Sequence, residues 1–129
     1  MEFGQVHHIE YYVNDLKRSN EFWSWFLTEL GYHKSAEFPG GVSWAHRTGA
    51  YLVFVQVTPE HLKINNNRQG NGLNHIAFQG GSSAQVQELK KALEGRGVKI
   101  TFEDATQICF EDPNDFAVEV YVPRDSSAK

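Results

Sequence analysis

Three short strand-like segments of the chain each carry a side chain of a type that binds divalent metals. His8 lies in VHHIEYYV, His75 in LNHIAF and Glu119 in AVEVYV. A fourth segment, YLVFVQV, offers Gln56 in the same way. Neutral imidazoles and carboxylates are common ligands of ions such as Zn²⁺ and Fe²⁺. Because strands hold side chains more rigidly than loops do, these residues could form a rigid metal site, and that site is the main indication of function.

Length and composition restrict the classes of protein that the chain could be. Its 129 residues, 40% hydrophobic and 13% aromatic, suffice for one folded domain with a core. The net charge of −4 argues against a nucleic-acid partner, which would favour a basic surface. There is no apolar run long enough to cross a bilayer, and the start, MEFGQVHH, lacks the pattern of a secretory signal. The single cysteine, Cys109, excludes an internal disulfide, fits a cytoplasmic location and is expected to be a buried, inert thiol.

The first half of the chain predicts a strand, a helix and three more strands. Residues 5–13 are rich in β-branched and aromatic residues, which is typical of a strand. Asn14 and Asp15 can cap a helix over LKRSNEFWSWFLTELGY, and Gly31 can end it. Strands are then predicted around YHKSAEF, GVSWAHR and YLVFVQV.

The second half repeats this order after a polar segment. Residues 58–72, TPEHLKINNNRQGNG, are predicted to be a linker or exposed loop. A strand over 73–79 follows, then a helix from Ser82 or Ser83 to about Gly95, and then strands in VKITFED, TQICFED and AVEVYVP. Each half therefore begins with a strand that carries a histidine, which indicates an internal duplication.

Alternation of side chains along strands predicts which residues share a face. In each strand one set is aliphatic and suits a core covered by a helix, whereas the other mixes polar and aromatic residues, as a pocket wall would. His7 falls on the helix side and is expected to be a buried or edge histidine. The residues assigned to the pocket side include His8, Glu10, Tyr12, Phe54, Gln56, His75, Glu119 and Tyr121. Tyr12, Trp44, Phe54 and Tyr121 could line a substrate pocket, although ordinary packing explains each about as well.

Three motifs resemble a known superfamily. HIEYYVNDLKRSNEFWSWFLTELGY, GLNHIAF and FEDPNDFAVEVY resemble the opening, the second-module start and the closing motif of the vicinal oxygen chelate superfamily. That superfamily includes glyoxalase I, bleomycin-binding proteins, fosfomycin-resistance enzymes and extradiol dioxygenases, and the chain is most similar to small bacterial glyoxalase-family proteins. The resemblance implies an α+β fold of two βαβββ modules that form a half-barrel mixed sheet with helices on its outer face. It implies one domain over residues 1–129, with module 1 at about 1–58, a linker at about 59–71, module 2 at about 72–123 and a tail at 124–129.

The resemblance also implies a ligand set. The family's metal ligands correspond to His8, His75 and Glu119, and Gln56 stands where glyoxalase I commonly has a fourth ligand, usually glutamate. The implied cofactor is a divalent ion such as Zn, Ni, Mn, Co or Fe. In the turn DPND, Asp115 replaces the glycine that the family often has there.

The implied function is that of a metal-dependent lyase or isomerase of glyoxalase type, acting on a small oxygen-rich or thiol-conjugated molecule. Because Gln56 cannot take a proton, Glu119 is the remaining base among the ligands, and Glu10 is a possible substitute. The alternatives are metal-free binding of a drug or metabolite, as in bleomycin-binding relatives, and an extradiol-dioxygenase-like enzyme. A fosfomycin-resistance enzyme would use the same three ligands, but Arg68 and Arg124 are the only basic residues near the last strands that could serve it. The resemblance further implies a homodimer that binds a small-molecule substrate and neither nucleic acid nor membrane.

Overall fold

The computed structural model describes residues 3–62, 67, 69–70 and 72–123. The chain divides into two compact units, Met1–Ile64 and Asn65–Lys129, and each unit contains its own four-stranded sheet. Strands and helices follow the same order in both units, which confirms the predicted α+β fold class. The predicted tail at 124–129 and part of the predicted linker lie outside the described residues. In the described ranges, no helix is both long and apolar enough to span a membrane.

The first unit is a mixed sheet covered by one helix. Its strands are ordered β1-β4-β3-β2, with β1 parallel to β4 and the other neighbours antiparallel. A short 3-10 helix over Pro59–His61 follows within the predicted linker. The elements of the unit are β1 (His8–Val13), α1 (Leu16–Glu29), β2 (Tyr32–Phe38), β3 (Gly41–His46) and β4 (Tyr51–Gln56).

Helix α1 begins and ends where the sequence predicts. The Asp15 side chain accepts a hydrogen bond of 3.2 Å from the backbone N–H of Arg18, which satisfies a donor of the first turn. Gly31 takes a φ of 90° beyond the last turn, and its N–H donates to the carbonyl of Thr28 at 3.1 Å. This left-handed conformation is the common end of a helix and favours glycine.

The buried face of α1 covers the sheet with aromatic side chains. Trp23, which is 0% exposed, lies 5.1 Å from Phe54 and 6.3 Å from Tyr11 between ring centroids. Phe26 and Leu27 are likewise fully buried. The side of the sheet that carries Phe54 and Tyr11 is therefore the core side of this unit, and aromatic contacts dominate it.

The second unit repeats the architecture with a smaller, aliphatic helix face. Its strands are ordered β5-β8-β7-β6, and β5 is parallel to β8. The Ser82 hydroxyl caps α2 by accepting from the Gln85 N–H at 3.0 Å. Val86, Leu89 and Leu93 form the buried face of the helix. The elements are β5 (His75–Gln79), α2 (Ser83–Gly95), β6 (Ile100–Glu103), β7 (Gln107–Glu111) and β8 (Ala117–Tyr121).

A tight turn between β7 and β8 sets the start of β8. The buried carboxylate of Asp112 accepts hydrogen bonds from the backbone N–H groups of Asn114 at 2.8 Å and Phe116 at 2.9 Å. Asp115 adopts a φ of 62°, the left-handed region that glycine occupies most easily. Because the turn fixes where β8 begins, it also fixes the face on which Glu119 lies.

Candidate metal centre

His75 and Glu119 lie together on one face of the second sheet. The parallel register pairs His75 with Ala117 and Ala77 with Glu119, so both side chains point to the same side of neighbouring strands. His75 Nε2 is 3.5 Å from Glu119 Oε1, and the two side chains are 38% and 13% exposed. This separation is longer than the usual hydrogen bond. Two ligand atoms of a tetrahedral Zn²⁺ are about 3.4 Å apart. The separation of His75 Nε2 and Glu119 Oε1 therefore suits two ligands of one cation.

Asn74 fixes the orientation of the His75 ring. Asn74 Oδ1 lies 2.8 Å from His75 Nδ1. Since an amide oxygen can only accept, Nδ1 carries the proton in this hydrogen bond, and in the neutral ring Nε2 then has a free lone pair. Nε2 and Glu119 Oε1 are then two acceptors that face each other, an arrangement that a cation between them would stabilise.

Tyr121 and Cys109 complete the polar face around Glu119. Tyr121 lies two residues along the strand from Glu119, and a hydrogen bond with the Glu119 carboxylate raises the pKa of its phenol. Cys109 pairs with Glu119 across β7 and β8, and its Sγ lies 3.6 Å from Gln107 Oε1. The thiol is half-buried rather than buried as predicted, because it lies on this polar face and not under α2.

His8 is held by two aromatic neighbours in the first unit. Its ring stacks on that of Tyr51, with centroids 4.7 Å apart and planes 8° apart. His8 Nδ1 also lies 2.9 Å from Nδ1 of His7. Of the two placements expected for His7, buried or at an edge, exposure excludes the buried one, and His7 directly precedes β1, an edge strand of its sheet. Tyr51 carried no signal in the sequence, since only the pairing of β1 with β4 brings it opposite His8.

Gln56 lies on the opposite side of its sheet from His8, contrary to the prediction. The register pairs Gln56 with Val13, on the side that α1 covers. Its Oε1 accepts from the Leu16 N–H at 2.8 Å, and its Nε2 donates to the carbonyls of Asn14 at 2.7 Å and Val57 at 3.0 Å. The Gln56 amide therefore links the start of α1 to the end of β4 through these hydrogen bonds. The face that Gln56 was predicted to share with His8 instead carries Tyr51, Val53 and Val55.

The four aromatic residues predicted to line a pocket do not share a face. Phe54 is 1% exposed and Trp44, which pairs with Leu52, is 7% exposed, and both lie on the core side of the first sheet. Their assignment to a pocket wall is therefore corrected. Tyr12 is exposed on the same face of β1 as Glu10 and His8, and Tyr121 is exposed beside Glu119.

The structure brings together only part of the predicted ligand set. Among the residues that it describes, no group of three or more His, Cys, Asp and Glu side chains is close enough to hold a metal ion. His75 and Glu119 form a pair in the second unit, while His8 and Glu10 lie on β1 of the first unit.

Comparison with known proteins identifies a family for the chain. A family model described as Glyoxalase/Bleomycin resistance protein/Dioxygenase superfamily matches residues 5–120. The uncharacterised protein YqjT of Bacillus subtilis (strain 168) is 36% identical over 127 residues, which cover 92% of this chain and 98% of that protein.

Solved structures share the fold. The structure of a candidate glyoxalase from Bacillus halodurans superposes with a TM-score of 0.87 at 37% identity, covering 93% of this chain and 96% of that one. A mutant of the fosfomycin resistance protein FosX from Listeria monocytogenes, in complex with Mn(II) and a dihydroxypropylphosphonic acid, gives a TM-score of 0.70 at 18% identity. That match covers 95% of this chain and 93% of that one.

Proposed function

The chain belongs to the glyoxalase/bleomycin resistance protein/dioxygenase superfamily, and from this membership we propose that it binds a divalent metal through His75 and Glu119 and acts as a glyoxalase-type lyase or isomerase. The observation that carries the proposal is the 3.5 Å separation of His75 Nε2 and Glu119 Oε1. An imidazole nitrogen and a carboxylate oxygen at this distance form two adjacent ligands for an ion such as Zn²⁺.

We propose His8 as a third ligand on the family resemblance. The contacts with Tyr51 and His7 already restrict the His8 ring, so His8 would lose little conformational freedom on binding a metal. Gln56 is not proposed as a ligand, because its amide makes three hydrogen bonds to the backbone of its own unit.

A bound metal would polarise adjacent oxygens of a substrate and stabilise the negative charge that develops on them. The proposed substrate is therefore a small molecule with neighbouring oxygens, or a thiol conjugate of one. Glu119 and Glu10 are the proposed proton acceptors. Glu10 is exposed on the face of β1 that also carries His8, so it is accessible to a substrate at that face.

Metal analysis tests the proposal. The purified protein should contain, or take up stoichiometrically, one of Zn²⁺, Ni²⁺, Mn²⁺, Co²⁺ or Fe²⁺, with Mn²⁺ included because the FosX structure contains it. His75→Ala and Glu119→Gln should each abolish tight binding. His33→Ala, which removes an exposed histidine of β2, is the matched control and should bind as the wild type does. Equal metal content in all four proteins would refute the proposed site.

Activity is tested with the hemithioacetal formed from an α-ketoaldehyde and a low-molecular-weight thiol. Isomerisation of this substrate should require added metal and be lost in His75→Ala. A metal-loaded protein that leaves the hemithioacetal unchanged while converting a catechol with oxygen would instead support the dioxygenase reading.

Metal-free binding of a drug or metabolite is the second candidate, and one observation favours it. The positions of β4 that share a face with His8 are Tyr51, Val53 and Val55, so this strand adds apolar surface and no fourth ligand there. Tight binding of a drug such as bleomycin that a chelator leaves unchanged would support this candidate over the metal enzyme.

We also propose a homodimer, as the family resemblance implies, and a cytoplasmic location, which fits a chain with a single cysteine. Light scattering coupled to size exclusion measures the mass of the particle directly. A mass close to that of one 14.7 kDa chain at micromolar concentration would contradict the dimer.

A further inference from the structure

Each of the two histidines proposed as ligands contacts the side chain of the residue just before it through Nδ1. In the second unit, Asn74 Oδ1 lies 2.8 Å from His75 Nδ1. In the first unit, Nδ1 of His7 lies 2.9 Å from Nδ1 of His8. Both histidines are the first residue of their strand, so the contacts occupy the same place in the duplicated architecture.

We propose that Asn74 and His7 are positioning residues for the histidines that follow them: Asn74 places the proton of His75 on Nδ1, and His7 accepts the Nδ1 proton of His8 when a metal binds, so that Nε2 of each ring is presented to the metal. This inference rests on the proposed metal-binding function and assigns a role to two residues outside the ligand set. A histidine can coordinate only through a nitrogen that carries no proton, so a hydrogen bond that retains the proton on Nδ1 prepares Nε2 for binding.

Asn74 and His7 restrict the tautomer of the following histidine to different degrees. Asn74 offers an amide oxygen that can only accept, so it selects one tautomer of His75 even without metal. His7 is itself an imidazole, and its Nδ1 can either donate to or accept from His8. A single proton is shared between Nδ1 of His7 and Nδ1 of His8. When His8 carries this proton and His7 accepts the hydrogen bond, Nε2 of the neutral His8 ring is unprotonated. The tautomer of His75 is thus fixed before metal binds, whereas His8 adopts the tautomer with an unprotonated Nε2 when metal binds.

The tautomers are measured directly by long-range ¹H–¹⁵N NMR spectra of the metal-free, ¹⁵N-labelled protein. The wild type should show His75 as the Nδ1–H tautomer. Asn74→Leu, which keeps a similar volume without an acceptor, should show a mixture of tautomers, and Asn74→Asp, which keeps the acceptor, should restore the wild-type pattern. A wild-type spectrum with the His75 proton on Nε2 would overturn the proposal. This measurement uses the wild type alone and so does not depend on whether a variant folds.

Metal affinity gives the second measurement, by competition for Zn²⁺ with a chromophoric chelator. Loss of a hydrogen-bond partner of a ligand histidine costs about 10–100-fold in affinity, so Asn74→Leu and His7→Phe should bind Zn²⁺ that much more weakly. Asn74→Asp and His7→Asn should recover most of it. Unchanged affinity in Asn74→Leu, with the fold intact by circular dichroism, would overturn the role of Asn74.

A matched control tests whether the loss of a hydrogen bond to any histidine, and not only to a proposed ligand, weakens Zn²⁺ binding. Thr48 Oγ1 lies 2.8 Å from Nδ1 of His46, a histidine that is not a proposed ligand. Thr48→Val should leave Zn²⁺ affinity unchanged. If the wild type binds no Zn²⁺, Mn²⁺ or other divalent ion, the proposed function fails, while the NMR spectra still decide whether Asn74 sets the tautomer of His75.

Discussion

Gln56 Oε1 accepts a hydrogen bond of 2.8 Å from the backbone N–H of Leu16, the first residue of α1. The contact joins residues 40 positions apart and satisfies one of the N–H groups that a helix leaves unpaired at its start. The side chain that the family resemblance suggests as a metal ligand is therefore a cap between a strand and a helix.

Gln56→Glu should destabilise the protein without strengthening metal binding. The substitution removes the two donations from Nε2 and directs a carboxylate oxygen at the carbonyls of Asn14 and Val57. The expected loss is about 1–3 kcal/mol in the free energy of unfolding, measured by urea denaturation. Gln69→Glu, in an exposed segment, introduces the same charge and should change stability by less than about 0.5 kcal/mol. Unchanged stability together with tighter metal binding would restore Gln56 as a candidate ligand position.

The order of elements was predictable because its signals are local. Asp15 and Ser82 cap the helices at the predicted places, and Gly31 ends α1 with a positive φ.

The faces of β3 and β4 were not predictable, because they depend on pairing between distant segments. In β4, Leu52, Val53 and Phe54 are all buried, so the strand has no polar alternation from which to choose a face. The parallel pairing with β1 makes the choice, placing Tyr51 beside His8 and Phe54 beside Tyr11. A one-residue error in such a strand moves every side chain to the other face, and this explains why the site assignments of Gln56, Phe54 and Trp44 failed together.

In the second unit, by contrast, the faces predicted for His75 and Glu119 agree with the register. AVEVYV alternates between small or polar residues and valine, so its pattern identifies the core face directly. The sequence places Asn74 and His7 next to the proposed ligands, but the contact of each side chain with Nδ1 of the following histidine depends on side-chain conformations that the sequence does not specify.

Asp115 should tolerate glycine better than alanine. Its φ of 62° disfavours a β-carbon, although aspartate occupies this region more readily than most residues. Asp115→Ala should lower the free energy of unfolding by about 1 kcal/mol, whereas Asp115→Gly should match or exceed the wild type. Thermal denaturation of the three proteins checks the order. An alanine variant as stable as the glycine variant would show that the backbone here carries no strain.

Gly80 should not tolerate a side chain. A β-carbon at this position would lie 2.5 Å from Cγ2 of Val86 in α2 and 2.8 Å from the carbonyl oxygen of Tyr121, the same oxygen that accepts from the Gly80 N–H at 2.8 Å. Gly80→Ala must therefore displace the end of β8 or α2, and we expect a loss of about 1–3 kcal/mol in urea denaturation. Gly95→Ala is the control, because a β-carbon there meets open space and alanine favours a helix, so stability should rise by up to about 1 kcal/mol.

Asp104 should titrate below the ordinary range of aspartate. Hydrogen bonds from the Thr106 hydroxyl at 2.7 Å and from backbone N–H groups hold the pKa of Asp104 down. A carboxyl whose pKa is lower in the folded state contributes stability above its unfolded pKa, and that contribution is lost as pH falls through the folded pKa. Thr106→Val should raise the pKa of Asp104 toward the ordinary value, as NMR titration measures. Thr101→Val, in the neighbouring strand β6, should leave it unchanged.

Metal should stabilise the wild type but not Glu119→Gln. If His75 and Glu119 hold a divalent ion, a free metal concentration 100 times the dissociation constant should add about 2.7 kcal/mol to the free energy of unfolding. Without metal, a glutamine amide at position 119 can donate to His75 Nε2 across the present 3.5 Å gap, so the variant should be as stable as the metal-free wild type. Melting temperatures in Zn²⁺ and in EDTA check both expectations at once. A metal-induced rise that persists in Glu119→Gln would place the ion elsewhere in the protein, because the carboxylate that the pair requires is then absent.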